Sequence, residues 1–197
     1  AQLSRLVDDL LITSQLQGGK LALHPARCDL QATVQQAIEA AGSKRGGHTL
    51  EVFVEPLHCV IDSSRVVQIV RNLVENAYKY TPPRAMVSVT ASAEEGGVSI
   101  EVADDGPGIP PEKRAELFEA FSRVEETAAG REGVGLGLFV VSQLVEAMKG
   151  RIDVASSSQG TCFAIHIPCE TMAADAPRLA VVEPERTSGP AAGGAAG

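Results

Sequence analysis

Gln68-Ile69-Val70-Arg71-Asn72-Leu73-Val74-Glu75-Asn76-Ala77-Tyr78-Lys79-Tyr80-Thr81-Pro82 is the stretch whose reading decides this chain. Val66, Ile69, Val70, Leu73 and Ala77 recur at helical spacing and predict a buried stripe. Asn72, Asn76 and Lys79 recur at the same spacing on a neighbouring stripe. A helix that aims two amides and an ammonium in one direction suits an anionic partner and a metal ion. Asp62-Ser63-Ser64 stands where such a helix needs its N-cap.

Working outward, Val87, Val89 and Ala91 alternate, as do Val98, Ile100 and Val102, with Glu95-Gly96-Gly97 between them. That is a hairpin with one buried face. Leu50–Val54 reads as a strand, and Lys20–His24 as a short strand candidate. Asp29 caps a helix running to about Ala41. Pro110-Pro111-Glu112 opens a short helix through Phe118. Residues 122–132 are small and polar, the composition of a mobile loop. Leu138–Met148 is a further helix stopped by Gly150. Ile152 and Val154, then Phe163, Ile165 and Ile167, give a last hairpin. About five strands and three larger helices result, an α/β sandwich. From residue 170 onward Ala, Gly and Pro dominate, which predicts a disordered tail over 170–197.

Residues 1–17 carry Leu3, Leu6, Val7, Leu10 and Leu11 on one side of a helix that Gly18-Gly19 ends. It is either packed on its own domain or the last turns of a dimerising helix. The chain opens on Ala with this pattern already running, so a fragment of a longer protein is expected.

Composition narrows the partners. The 197 residues suffice for one core, and 44% are hydrophobic. The formal charge is −8 and there is no Trp, which argues against nucleic acid as a main partner. No apolar run approaches the roughly 20 residues that span a bilayer, so no membrane contact is expected of this segment. No signal peptide is visible. Cys28, Cys59, Cys162 and Cys169 form no metal-ligand spacing and read as free thiols in a reducing cytosol.

Three segments carry chemistry. The Asn76 amide oxygen is a hard ligand, suited to a Mg²⁺ that also binds phosphates. Asn72, one turn earlier, suits phosphate or a metal-bound water. Lys79 offers a cation to phosphate, and Tyr80 either shields the site or touches a nucleotide. Read alone, two Asn four apart are more often a solvated face. Asp104-Asp105-Gly106-Pro107-Gly108-Ile109 follows a strand directly. A carboxylate there can accept from the exocyclic amine of adenine, where guanine would present a carbonyl. The glycines allow a sharp turn and close approach, although Asp-Gly pairs also make plain turns. Gly133-Val134-Gly135-Leu136-Gly137-Leu138 opens a helix whose backbone amides suit phosphate oxygens. It follows a polar loop rather than a strand, unlike a dinucleotide fingerprint, and lacks the Gly-Lys-Ser/Thr of a Walker loop. Thr161 offers a hydroxyl to nucleotide or closes a turn. Phe118 and Phe121 either hinge the loop or pack a helix.

In this order and context the segments resemble the ATP site of bacterial sensor histidine kinases, of the GHKL (Bergerat-fold) ATPase superfamily. Asn72–Pro82 resembles the N-box, Asp104–Pro110 the first glycine box and Leu117–Arg123 the phenylalanine box. Gly133–Leu138 resembles the second glycine box, and Gly160–Pro168 the closing segment. Arg5–Leu11 with Gly19-Lys20-Leu21 is similar to the end of the second dimerisation helix and its exit. The resemblance implies a mixed sheet with helices on one face, a catalytic ATP-binding domain over 20–169, and residues 122–132 as a lid over ATP. It implies that Asn76 holds Mg²⁺, with Asn72 and Lys79 near the phosphates, and that Asp104 selects adenine. Gly133, Gly135 and Gly137 shape the lid end. The γ-phosphoryl passes to a histidine on the dimerisation helices and then to a response-regulator aspartate. The parent kinase is expected to be a cytoplasmic or upstream-anchored homodimer, and this segment a monomer.

One departure matters. None of His24, His48, His58 and His166 lies early on a helix before an acidic residue, so no acceptor histidine is present and no autophosphorylation is expected. Met148-Lys149-Gly150 stands where the family often has His-Gly-Gly, a change expected to affect surface contacts only. A GHKL hydrolase would carry a glutamate base at position 72. Glu75 points off to another side of the helix. An anti-sigma-type serine kinase and a nucleotide-regulated docking module are the other readings.

Overall fold

The computed structural model describes residues 21–42, 47–120 and 135–173. The segments 1–17, 122–132 and 174–197, with Phe121, Gly133 and Val134, lie outside the described residues.

A five-stranded mixed sheet forms one layer. Its strands are β2 (Thr49–Val54), β4 (Met86–Glu94), β5 (Gly97–Asp104), β6 (Arg151–Ser157) and β7 (Gly160–Pro168). They lie in the order β2-β4-β5-β7-β6, with β2 parallel to β4 and every other pair antiparallel. Period-two alternation decides which face is covered. Val87, Val89, Ala91, Val98, Ile100, Val102, Phe163, Ile165 and Ile167 are all buried. The register sets Val89 opposite Val102 and Ile100 opposite Ile165, so the apolar rows align across strands.

Three helices cover that face: α1 (Leu30–Ala41), α2 (Ser63–Tyr80) and α4 (Gly137–Ala147). In α1 the Asp29 carboxylate accepts from the Ala32 amide at 3.1 Å, and Leu30, Val34, Ala37, Ile38 and Ala41 turn inward. In α2 Asp62 is the cap, and Val66, Ile69, Val70, Leu73, Val74 and Ala77 form the buried stripe. The short α3 (Pro111–Arg114) ends sooner than its sequence suggests. Beyond Arg114 the chain continues in turns, with Leu117 N bonding Arg114 O at 3.4 Å and Glu119 N bonding Glu116 O at 3.1 Å.

A second sheet of three short strands, β1 (Ala26–Asp29), β3 (Leu57–Ile61) and β8 (Thr171–Ala173) in the order β1-β3-β8, was not legible in the sequence. The first strand is Ala26–Asp29 rather than Lys20–His24, since Pro25 has no amide to donate and β1 forms only against β3 (Leu57–Ile61). The third, β8 (Thr171–Ala173), lies inside the segment whose composition reads as tail. It is ordered because Glu170 O accepts from Val60 N at 3.0 Å and the next residues complete the β3 edge.

The Met148-Lys149 departure is also more than a surface matter. Met148 is 8% exposed and joins the core, while Lys149 holds φ at +60°, a left-handed position that glycine fills more readily.

Candidate nucleotide site

The site is built around the C-terminal half of α2. Asp62 starts that helix rigidly: its carboxylate takes the Ser64 hydroxyl at 2.6 Å, the His24 amide at 2.9 Å and the Arg65 amide at 3.3 Å. Burial pushes this carboxyl up, but the bonds from Ser64, His24 and Arg65, with the Arg65 charge, hold it below the ordinary aspartate value.

Nearly three turns on, Asn72 is buried, and its Nδ2 donates to Gly137 O at 3.3 Å. Arg71 Nη2 approaches Asn72 Oδ1 at 3.4 Å. Asn72 therefore ties α2 to the first residue of α4. One turn later Asn76 is half-buried, and its side-chain amide has no hydrogen-bond partner among the described residues. Lys79 lies over the Tyr80 ring, Nζ 4.6 Å from its centroid and 2.9 Å from its hydroxyl.

The turn after β5 lies against the end of this helix. A side chain added at Gly106 would sit 2.6 Å from Thr81 Cγ2 and 2.8 Å from Asp104 Oδ1. Thr81 is fixed in turn by Ala77 O at 2.7 Å and by His48 Nε2 at 2.9 Å. The Asp104 carboxylate takes the Gly106 amide at 2.9 Å and lies opposite Thr161 across β5 and β7. Burial pushes its pKa up, the Gly106 and Thr161 amides oppose this, and the neighbouring Asp105 charge adds to it; the balance is a raised value. Gly108 has φ of +75°, and any side chain there would run into the Ser157 carbonyl, so this turn accepts only glycine.

A set of contacts that the sequence did not signal locks this turn. Ser156 Oγ accepts from Ile109 N at 2.8 Å and lies 3.0 Å from Thr161 Oγ1. Arg114 donates to Ile109 O at 3.2 Å and to Ser156 O at 2.6 Å. The Thr161 hydroxyl thus faces Ser156 at the hairpin end. Ser156 stands in an unremarkable Ser-Ser-Ser run, and only the β6–β7 register brings it here.

Gly135 holds φ at +78° just before α4, and Leu136 is the N-cap residue, buried and without a side-chain cap bond. Gly137 has open space around its Cα, and Leu138 packs partly on the core. Among the described residues no side chain caps the first amides of α4, and free amides at a helix start are the groups that bind phosphate. Phe118 packs partly against the core. None of the four histidines lies on a helix. His48 stacks on Tyr78, His166 bonds Glu94 at 2.7 Å, His58 lies in β3 and His24 precedes Pro25.

A buried amide linking two helices, a half-buried carboxylate at a strand end and a helix start with no side-chain cap among the described residues come together on one α/β sandwich. Residues 61–171 match the family described as histidine kinase-, DNA gyrase B-, and HSP90-like ATPase, and the chain belongs to it. It is similar to the probable sensor histidine kinase TcrY of Mycobacterium tuberculosis, 34% identical over 172 residues, covering 86% of this chain and 36% of TcrY. It also resembles the solved mycobacterial sensor histidine kinase MprB, with a TM-score of 0.66 and 32% identity over 75% of this chain and all of that one. Full-length ShkA in complex with AMPPNP aligns with a TM-score of 0.76 and 35% identity, covering 88% of this chain and 37% of that one. The chain thus spans about a third of the curated relatives, 36% of TcrY and 34% of M. tuberculosis TrcS. It has the form of a histidine kinase's catalytic ATP-binding domain.

Proposed function

We propose that this domain presents ATP for transfer of its γ-phosphoryl group to a histidine on the dimerisation helices of a two-component sensor kinase, from which a response-regulator aspartate receives it. The observation that carries the reading is the bond from Asn72 to Gly137. It sets the polar stripe of α2 beside the uncapped start of α4, with the unpartnered Asn76 one turn on. Asp104 accepts from the adenine amine. Lys79 and the α4 amides meet phosphate oxygens, with Gly133, Val134 and Gly135 shaping the approach. Asn76 would hold a Mg²⁺, and the ion would supply neutralisation of phosphate charge. The donor fits that ion, since a half-buried amide oxygen with no partner among the described residues suits its preference for hard ligands. ShkA, solved with AMPPNP, supports the nucleotide half of the reading.

A glutamate base is absent from position 72, where Asn72 is buried and occupied, so steady hydrolysis is slow. In this reading the domain is a cytoplasmic monomer and residues 1–17 are the end of the dimerisation helix. Among the described residues, no helix is long and apolar enough to cross a membrane.

Calorimetric titration with a non-hydrolysable ATP analogue tests the reading. Binding strengthens with Mg²⁺ in the wild type. Asn76→Ala loses that Mg²⁺-dependent gain while its melting temperature holds, because the amide stabilises nothing in the described fold. Absence of binding at millimolar nucleotide favours a docking module instead.

A further inference from the structure

Three of the four cysteines, far apart in sequence, meet away from the nucleotide site. Cys28 of β1 and Cys59 of β3 are direct cross-strand partners, with their sulfurs 3.8 Å apart. Cys169, just before β8, lies near enough to Cys59 for its sulfur to help raise the Cys59 pKa. Cys59 is fully buried, whereas Cys28 and Cys169 are partly accessible. Val60 N bonds Glu170 O, so Val60 points its amide at β8 and Cys59 points its own at β1. The Cys28–Cys59 pair is thus of the hydrogen-bonded kind, with Cα atoms about 5.5 Å apart. Disulfides span Cα separations of about 4.4–6.8 Å, which this pair meets, and bonding requires the two sulfurs, now 3.8 Å apart, to close by side-chain rotation and a small approach of the strands. Among the described residues no group of three or more His, Cys, Asp or Glu side chains is placed to hold a metal ion.

We infer that Cys28 and Cys59 form a peroxide-oxidised dithiol site: a hydroperoxide oxidises Cys28, and Cys59 resolves it as a reversible β1–β3 disulfide. The Cys28 sulfur attacks one peroxide oxygen and the O–O bond breaks. Sulfur becomes a sulfenic acid, and the departing hydroxide takes a proton to leave as water. The Cys59 sulfur then attacks the sulfenic sulfur. The S–S bond forms, the S–O bond breaks, and the hydroxyl leaves as a second water with the Cys59 proton. Two thiols lose two electrons and two protons, and one peroxide becomes two waters.

The surroundings assign the roles. The hydrogen bond from Cys59 lowers the Cys28 pKa to about 7 against burial, with the Thr33 hydroxyl and Ile61 amide helping and the Asp29 charge opposing. The same bond, then burial and the neighbouring Cys28 and Cys169 sulfurs, raise Cys59 far above the ordinary thiol, so it stays the proton-bearing partner. Burial likewise raises Cys162 and Cys169. The oxidant is hydrogen peroxide, small enough to reach Cys28, the accessible member of the pair.

The test is intact-mass and peptide mass spectrometry of the whole chain after brief exposure to a few equivalents of hydrogen peroxide and alkylation. The expected product is lighter by about 2 Da before alkylation, with a Cys28–Cys59 linked peptide that dithiothreitol removes. Cys162 remains alkylated. Cys28 alkylates fastest of the four, with a rate that rises through pH 7. In Cys59→Ala, Cys28 gives a dimedone adduct and no link, and Cys28→Ala abolishes both. A Cys59–Cys169 link, sulfinic acid on Cys28 without a link, or Cys28 reacting no faster than Cys162 would each overturn the inference.

Discussion

Asp104 works against its own surroundings. Its folded pKa lies above the unfolded value, so the folded chain holds that proton more readily. The stability linked to it is present below the unfolded value and lost as pH rises through the folded one. At neutral pH the charge therefore costs stability, and the reading under which it selects adenine explains why it is there. Asp104→Asn keeps an oxygen for the Gly106 and Thr161 amides and removes the charge. We expect an unchanged or higher melting temperature by calorimetry. We also expect ATP-analogue affinity to fall by roughly tenfold to a hundredfold, the worth of a charged hydrogen bond. In the wild type, affinity falls as acid protonates Asp104. A variant that loses stability and affinity together would make Asp104 a structural residue. This residue was legible in sequence, because a carboxylate at a strand end before Gly-x-Gly carries its own chemistry. Ser156 and Arg114 were not, because each acts through a partner more than 40 residues away in sequence.

At the scale of elements, α2 joins the core to the site, and its cap fixes where Asn72 and Asn76 fall. Asp62 accepts three bonds, so Asp62→Ala should cost about 1–2 kcal/mol, the range for a lost N-cap, read by urea denaturation. Its folded pKa is lowered. The stability it adds is therefore present above the ordinary aspartate value of 3.8 and lost as pH falls through the folded pKa. The variant's deficit should accordingly shrink in acid; a deficit independent of pH would place the effect elsewhere. The starts of α1 and α2 were readable because cap and stripe are local: Asp29 stands directly before Leu30, and Asp62 four residues before Val66, where each apolar stripe begins. The short strands β1, β3 and β8 were not, since four, five and three residues carry too little periodicity to read.

Across the whole molecule, the small sheet anchors the layers. It connects the exit from residues 21–25, the root of α2 at Asp62, and the chain beyond β7. Met172 faces His58 in the hydrogen-bonded kind of pair, so Met172→Pro removes a ladder donor and unseats β8 from β3. The expected loss is about 1–3 kcal/mol in a denaturant melt, a few net hydrogen bonds. No change would mean that residues 171–173 behave as their composition suggests.

The sequence by itself determined the main architecture and the chemical inventory. Alternating strands, capped amphipathic helices and the Asn, Asp-Gly and Gly-x-Gly segments are local patterns, each set within about 20 residues. Only the tertiary structure decided that Asn72 bonds Gly137, that Ser156 and Arg114 brace the Asp104 turn, and that Cys28, Cys59 and Cys169 share one cluster. Those contacts depend on strand register and sheet order, which long-range pairing sets and no local period records.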